Sequence, residues 1–157
     1  MEIVITAICT ALFLFLCKFL WVEFINRKNR QIHITTEIIN EDYEKVWRHL
    51  SNLKKYPELY PGWVFEVEKI GENYFKIDGK HGKTYKVKRE LDKEKGIINL
   101  KMGHEISRTR LFSLGDNKTL TLHIGIRWEK FNAILWFFYK RTVDSDFKKA
   151  KEIIENN

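Results

Sequence analysis

Arginines that alternate with apolar residues are the side chains here whose type and spacing could bind a charged group. In the segment 106–114, Arg108 and Arg110 share parity with isoleucine, phenylalanine and leucine, and Arg89 has the same relation to its neighbours in 85–91. Residues two apart in a strand point to the same face. A buried guanidinium needs a carboxylate, a phosphate or a ligand as its partner. We therefore expect one or two of these arginines to fix the acidic head of an amphipathic ligand.

A structural explanation of the same pattern stays open. A β-bulge would shift the alternation and leave the arginines at a solvated edge of the sheet. They could also pair with carboxylates of the chain, such as Glu66, Glu90 or Glu105.

The sequence carries no recognisable catalytic or metal-binding signature. Its five histidines are scattered, and none is spaced from another His, Cys or Asp as metal ligands are. No serine lies in a nucleophile elbow, and no glycine-rich phosphate loop precedes a helix. His104 and Glu105 could form an acid–base pair, but adjacent strand residues point to opposite faces, which favours surface turn residues. We expect no metal, no cofactor and no catalytic residue.

Composition fits one domain with a substantial core. The chain has 157 residues, of which 44% are hydrophobic, and a net charge of +7. The excess positive charge is spread along the sequence, which argues against nucleic acid as a partner and leaves an acidic partner or an anionic membrane surface. Cys9 and Cys17 lie too far apart along one apolar run to form a disulfide if that run is helical. No protein partner can be named.

The first apolar run, Ile3–Val22, has the length of a membrane span. About twenty residues of helix cross a hydrocarbon core of roughly 30 Å. Its one charge, Lys18, lies toward the end of the run, where the side chain can reach the headgroups. A cleaved signal peptide is disfavoured, since no basic region precedes the run and no small-x-small site follows it.

The charges around this run predict its orientation. Three cations follow it closely: Arg27, Lys28 and Arg30. The positive-inside tendency then places the rest of the chain on the cytoplasmic side of the membrane. We expect residues 1–30 to form a single-pass anchor with a basic linker, and residues 31–157 to form the folded domain.

The hydrophobic period of residues 31–157 predicts an α+β fold. Gln31–Ile39 alternates isoleucine with polar residues, which predicts a strand whose isoleucine face is buried. Asn40 is placed to cap a helix whose first turn holds Glu41, Asp42 and Glu44. About six further strands follow Gly62, and Phe131–Ile154 repeats apolar residues as a long amphipathic helix does. A curved antiparallel sheet of about seven strands that wraps this helix buries the apolar faces of both.

Three short segments carry a resemblance to a known family: IINEDYEKVW at 38–47, Leu50-Ser51-Asn52, and YPELYP at 56–61. They resemble the START-like, or SRPBCC, superfamily, and in particular its polyketide cyclase and dehydrase branch. The resemblance covers about residues 31–155 and implies a helix-grip fold with a cavity between the sheet and the C-terminal helix. Members include lipid and sterol carriers, hormone receptors and aromatase/cyclases, and the apolar N-terminal run is not part of that fold.

We therefore expect a membrane-anchored START-like domain that binds a hydrophobic or amphipathic, lipid-like small molecule in this cavity. Besides the three arginines, the predicted lining residues are Trp63, Phe65, Tyr85, Phe112, Trp128, Leu135 and Phe138. One alternative is a cyclase- or dehydrase-type enzyme in which Tyr85, His104 or Arg108 orients a substrate. The other is a protein-interaction module whose pocket is filled by its own side chains. Binding alone accounts for every feature of the sequence, which favours a function without catalysis.

Overall fold

The computed structural model describes residues 13–18, 20, 31–80, 82–128 and 132–157. Residues 13–18 and 20 are helical and exposed. From residue 31 onward, the elements in chain order are β1 (Gln31–Ile39), α1 (Tyr43–Leu50), a 3-10 turn (Leu53–Lys55), α2 (Tyr56–Leu59), β2 (Val64–Lys69), β3 (Tyr74–Gly79), β4 (Thr84–Asp92), β5 (Ile97–Met102), β6 (Glu105–Gly115), β7 (Lys118–Arg127) and α3 (Ala133–Asn156).

The strands of the described residues form one antiparallel sheet in the order β1-β7-β6-β5-β4-β3-β2. From β2 to β7 each strand pairs with the next one in sequence, and β1 then pairs with β7 along the edge. Gly96 shows how tightly one of the turns is built: its φ is +65°, and a Cβ there would lie 2.4 Å from the Leu111 carbonyl oxygen. The predicted α+β architecture, a seven-stranded antiparallel sheet with a long C-terminal helix, is confirmed.

The apolar core lies between the inner face of the sheet, which is the face toward α3, and the three helices. α1 contributes Val46 and Leu50, and the C-terminal half of α3 contributes Phe147, Ala150 and Ile154. The predicted cap of α1 is wrong. Asp42 caps this helix by accepting a hydrogen bond from the Lys45 amide at 2.8 Å, and its negative charge also suits the helix N-terminus. Asn40 instead donates its backbone and side-chain N–H groups to Glu155.

Strand β1 faces the opposite way from the prediction. Ile32, Ile34 and Ile38 are 54%, 56% and 47% exposed, whereas His33 is buried on the inner face. Alternation shows which residues share a face, but the contacts made by each face decide which of them turns inward. Here α3 supplies polar contacts to the inner face, with His33 Nε2 lying 2.8 Å from Asp144 Oδ1. The expectation that the isoleucine face is buried is therefore wrong.

Most of the expected anchor falls outside the described residues. Of the run Ile3–Val22, only residues 13–18 and 20 are described. Residues 21–30 lie outside the described part of the chain. Among the residues that the structure describes, no helix has the length and apolar character needed to cross a membrane. The anchor and the domain boundary at residue 30 stay predictions. Phe131, the expected start of the last helix, also lies outside the described residues, and α3 begins after its N-cap Asn132.

Candidate ligand-binding site

A cavity of about 400 Å³ lies between the inner face of the sheet and α3. Strands β4 to β7 line it with Tyr85, Leu100, Met102, Glu105, Ser107, Thr109, His123 and Arg127. Helix α3 lines it with Tyr139, Thr142, Val143, Asp146 and Phe147. The remaining lining residues are Tyr56, Tyr60, Trp63, Lys83, Gly103 and His104.

Small inner-face residues leave this space open. Ser107 and Gly125 are directly opposite each other on β6 and β7, and Thr109 is opposite His123 in the same register. Ser107, Thr109 and Gly125 are too small to reach α3, whereas the His123 ring contacts Phe147 of that helix. Farther along the same strands Leu111 is buried, so the sheet packs against apolar groups at that end and is hollow at the other.

A polar cluster closes one part of the cavity wall. The Arg127 guanidinium donates to Glu105 through Nη1, and the Tyr139 hydroxyl donates to the other carboxylate oxygen of Glu105 at 2.6 Å. The Arg127 and Glu105 side chains are only 16% and 13% exposed. Burial, reinforced by the negative charge of Glu105, raises the pKa of Tyr139 well above its ordinary range. Tyr139 therefore stays a protonated donor, and the cluster can offer hydrogen bonds of both polarities.

His123 is a buried, neutral imidazole on the sheet side of the cavity. Its Nδ1 lies 3.1 Å from Thr109 Oγ1, and its ring centroid lies 4.5 Å from that of Phe147. Burial lowers the pKa of His123 to about 3, with the neighbouring His33 acting in the same direction. A neutral imidazole has one donor and one acceptor nitrogen. At neutral pH His123 therefore acts as a hydrogen-bonding group and not as a proton donor of the imidazolium kind.

Asp146 of helix α3 carries a buried carboxyl group on the cavity wall. It is 3% exposed and packs against Gly62, where a Cβ would lie 2.7 Å from Asp146 Oδ1. Its Oδ2 is buried and has no hydrogen-bond partner among the described residues. Burial raises the pKa of Asp146 to about 6, although Lys149 and Lys80 act in the opposite direction. A carboxyl group in this pKa range can accept or return a proton near neutral pH.

Two of the predicted site residues, Trp63 and Tyr85, line the cavity. Arg89 lies on the inner face, as its parity indicates, but is not on the cavity wall. Its Nη1 donates to the Ser51 carbonyl at 2.8 Å, and its guanidinium lies 4.8 Å from the centroid of the Phe75 ring. Arg89 thus satisfies a backbone acceptor just beyond the end of α1 and contacts an aromatic ring, and it does not face a ligand in the cavity.

Arg108, Arg110 and Phe112 share one face, as predicted, but it is the outer face of the sheet. The buried residues of β6 are Ser107, Thr109 and Leu111, and the only irregularity in its pairing with β7 comes after them, at Ser113 and Gly115. Arg108 donates to Asn99 Oδ1 at 2.7 Å, and Arg110 lies over the Phe112 ring. The predicted place of these three residues on the cavity wall is therefore wrong.

The other predicted lining residues also lie outside the cavity wall. Phe65, Trp128, Leu135 and Phe138 are 67%, 41%, 52% and 59% exposed. On α3 the lining begins at Tyr139 and continues toward Phe147, so the wall is made by the middle of the helix and not by its aromatic first turns. His104 and Glu105 line the cavity, and Glu105 is nearly buried, so the expectation of surface turn residues is wrong for Glu105.

Sequence reasoning missed His123, Arg127, Tyr139 and Asp146, and it considered Glu105 but favoured a surface turn for it. A signal for two of them was present in β7, where the polar parity of 119, 121, 123 and 127 runs through the strand. Sequence patterns assign the apolar parity to the interior, and a cavity with a polar wall reverses that assignment. Within the described residues, no three His, Cys, Asp or Glu side chains are grouped so that they could hold a metal ion.

Comparison with solved structures shows which fold this is. The Zhui aromatase/cyclase of a Streptomyces species is 16% identical, with a TM-score of 0.70 over 81% of this chain and 94% of that one. An uncharacterised Bacillus thuringiensis protein is 12% identical, with a TM-score of 0.66 over 79% and 98% of the two chains. A START superfamily protein of Mycobacterium smegmatis is 12% identical, with a TM-score of 0.63 over 80% and 94%.

No family model and no curated protein matches the sequence. The structural similarity extends over most of each chain at identities far too low to carry a function across. It does establish the architecture: this chain has the helix-grip fold of the START-like structures to which it is similar.

Proposed function

We propose that this chain is a membrane-anchored domain that binds a hydrophobic or amphipathic, lipid-like small molecule in the cavity between the sheet and α3. The observation that carries the proposal is the open cavity of about 400 Å³. That volume falls within the range of roughly 300–1,000 Å³ typical of small-molecule sites. An unfilled cavity of this size counts against the alternative of an interaction module whose pocket is filled by its own side chains.

The cavity wall carries both kinds of group that an amphipathic molecule needs. Trp63, Leu100, Met102 and Val143 supply apolar surface, while Glu105, Arg127 and Tyr139 supply polar groups. An apolar body would replace water against the first group, and a polar end would exchange hydrogen bonds with the second. Arg127 thus takes the role that the sequence suggested for Arg89, Arg108 and Arg110.

The anchoring part of the proposal rests on the N-terminal sequence. The run Ile3–Val22 has the length and apolar character of a span, and cations follow it. A tethered domain samples the bilayer surface at a high effective concentration. A membrane-derived ligand would therefore reach the cavity without a diffusing carrier.

Native mass spectrometry of the full chain, purified from cells in detergent, tests the binding part. Organic extraction of the same sample would identify the class of any bound molecule. We expect a discrete added mass that extracts as a hydrophobe. Ser107→Phe, which places a ring inside the cavity, should lose that mass, and Ser113→Phe, at an exposed position of the same strand, should keep it. A chain that carries no added mass and takes up none of a panel of lipids and hydrophobic probes would refute the proposal.

A cyclase- or dehydrase-type enzyme that uses the same cavity is the second candidate function. The observation that favours it is Asp146, whose buried carboxyl group lies on the cavity wall with its pKa raised to about 6. An enzyme would convert the extracted ligand or a related compound, and Asp146→Asn would abolish that conversion while the added mass persists. A ligand that returns unchanged from incubation with the wild-type chain supports binding alone.

A further inference from the structure

The outer face of the sheet, which points away from α3, is divided into an apolar half and a charged half. Every outer position of β1 and β7 from 32 to 38 and from 120 to 126 is isoleucine or leucine, except Thr36. On β1 these isoleucines are about half exposed. An exposed apolar surface of this extent on a monomer commonly marks a site of association.

The other half of the same face is built for contact with water. Lys88 and Lys101 both pair with Glu90 at 2.9 Å, and Lys76 pairs with Asp78 at 2.9 Å. Ladders of exposed ion pairs such as these are typical of solvated sheet surfaces. The contrast within one sheet indicates that β1 and β7 meet an environment different from that of β3 to β5.

Cations mark the boundary between the halves. Arg108 and Arg110 are exposed on the outer face of β6, next to the apolar positions of β7. The outer positions 32–38, 120–126 and 106–112, all within the described residues, include no carboxylate. The outer side chains are therefore apolar at the edge strand β1, cationic at β6 and ion-paired at β4. Acyl chains, lipid phosphates and water follow one another in this order across the surface of an anionic bilayer.

The edge strand is also the part of the domain held nearest to the expected membrane span. Residues 23–30 alone separate Val22 from Gln31, where β1 begins. Such a linker reaches at most about 28 Å when it is fully extended. The apolar half of the outer face thus starts where the chain would leave the bilayer.

We propose that the outer face of β1, β7 and β6 rests on the surface of an anionic lipid bilayer. The isoleucines of β1 lie at the boundary with the acyl chains, and Arg108 and Arg110 lie at the level of the phosphates. This inference depends on the membrane anchoring in the proposed function. A second copy of the chain fits the face less well, since a two-fold contact would enclose Arg108 and Arg110 without a carboxylate to pair with them.

Another exposed apolar cluster offers a competing orientation that can be separated by experiment. Ile134, Leu135, Phe137 and Phe138 are about half exposed at the start of α3. Because α3 covers the inner face, this cluster and the outer face of the sheet lie on opposite sides of the domain. A planar bilayer can contact one of them at a time.

Site-specific quenching in nanodiscs tests the proposal with the full chain. Cys9 and Cys17 are replaced by serine, and single cysteines are introduced as Ile34→Cys, Lys88→Cys or Phe137→Cys for an environment-sensitive label. The nanodiscs contain phosphatidylcholine with about one-third phosphatidylglycerol, with and without brominated acyl chains. We expect quenching at position 34 to exceed that at positions 88 and 137 by at least about threefold.

A charge variant tests the role of the arginines. Arg108→Glu with Arg110→Glu should reduce quenching at position 34 by at least about half, because the reversed charges repel anionic lipid. Lys69→Glu with Lys86→Glu makes the same change in net charge away from the apolar half and should leave the quenching unchanged.

Four results would overturn the proposal. Quenching at position 137 in place of 34 would put the α3 cluster on the bilayer. Equal, weak quenching at all positions in a chain that stays in the nanodisc would show that the anchor holds but that the outer face does not contact the bilayer. Protection of position 34 that rises with protein concentration and needs no lipid would identify a second copy as the occupant. A chain that does not enter nanodiscs at all would refute both this inference and the anchoring on which it depends.

Discussion

The Tyr139 hydroxyl donates a hydrogen bond of 2.6 Å to Glu105 Oε1, which ties helix α3 to the first residue of β6 across the cavity wall. Glu105 also accepts from Arg127 on β7. One carboxylate thus links the helix to two strands at the hollow part of the sheet, where apolar packing is weakest. These contacts set both the position of α3 and the polar groups available to a ligand.

Removing that hydroxyl should weaken both the fold and the binding site. We expect Tyr139→Phe to lower the free energy of unfolding by about 1–2 kcal/mol, since a hydrogen bond to a charged acceptor is lost while the ring is kept. Urea titration followed by tryptophan fluorescence measures this change. Tyr74→Phe, at a tyrosine that is 41% exposed, should cost less than about 0.5 kcal/mol. Equal losses for the two variants would contradict the assigned role of Tyr139.

Asp146 should destabilise the folded chain at neutral pH. Burial raises the pKa of this carboxyl group to about 6, above its ordinary value of 3.8. The folded state therefore binds a proton that the unfolded state has released, and stability falls as pH rises through the interval between these values. We expect Asp146→Asn to gain about 1–2 kcal/mol at pH 7.5, and the gain to vanish near pH 4.

Urea titrations of both chains at the two pH values measure this difference. Lys149→Gln serves as a control, because it removes a cation that favours the ionised carboxylate of Asp146. The loss of stability caused by this carboxylate at pH 7.5 should therefore be larger in Lys149→Gln than in the wild-type chain. A gain for Asp146→Asn that is the same at both pH values would show that titration of this group is not its source.

His123 should destabilise the folded chain in acid, whereas Asp146 does so as pH rises. Burial lowers the pKa of His123 from 6.5 to about 3, so below the ordinary value the unfolded chain binds a proton that the folded chain cannot. Stability is then lost as pH falls from 6.5 toward 3. Two neighbouring groups also act on the pKa of His123: His33 lowers it and Asp144 raises it.

The His123→Gln variant isolates this contribution. Between pH 7 and pH 4, its free energy of unfolding should fall by about 2–3 kcal/mol less than that of the wild-type chain. Its stability at pH 7 should be lower, because the packing against Phe147 is reduced. His104→Gln, in the turn between β5 and β6, is the matched control. If the wild-type chain and His123→Gln showed the same dependence on pH, His123 would not be held neutral in the fold.

The order and type of the elements could be predicted from the sequence because each depends on local periodicity. The strands of β2 to β7 and the long helix each showed the required period, and turns separated them. The inward face of a strand depends instead on contacts distant in sequence. His33 meets Asp144, and Thr109 meets His123, only after the sheet has formed.

The candidate site was harder to predict for the same physical reason. A cavity that carries polar groups on its wall turns hydrophilic residues inward and leaves apolar ones to the opposite face. Arg108 and Arg110 therefore had the predicted parity and the wrong environment. Arg127 lies one strand away with the other parity, and nothing local distinguishes it from a surface arginine before its pairing with Glu105 is known.

The outward orientation of β1 gives the last prediction. Ile34 is 56% exposed on the outer face, and Ile77 of β3 is fully buried on the inner face. In the detergent-solubilised chain, Ile34→Thr should change the free energy of unfolding by less than about 0.5 kcal/mol, since threonine suits an exposed strand position. Ile77→Thr removes buried apolar groups and buries a hydroxyl, which should cost about 2–4 kcal/mol. Urea titration distinguishes the two orientations of β1, because an inward isoleucine face would make Ile34→Thr as damaging as Ile77→Thr.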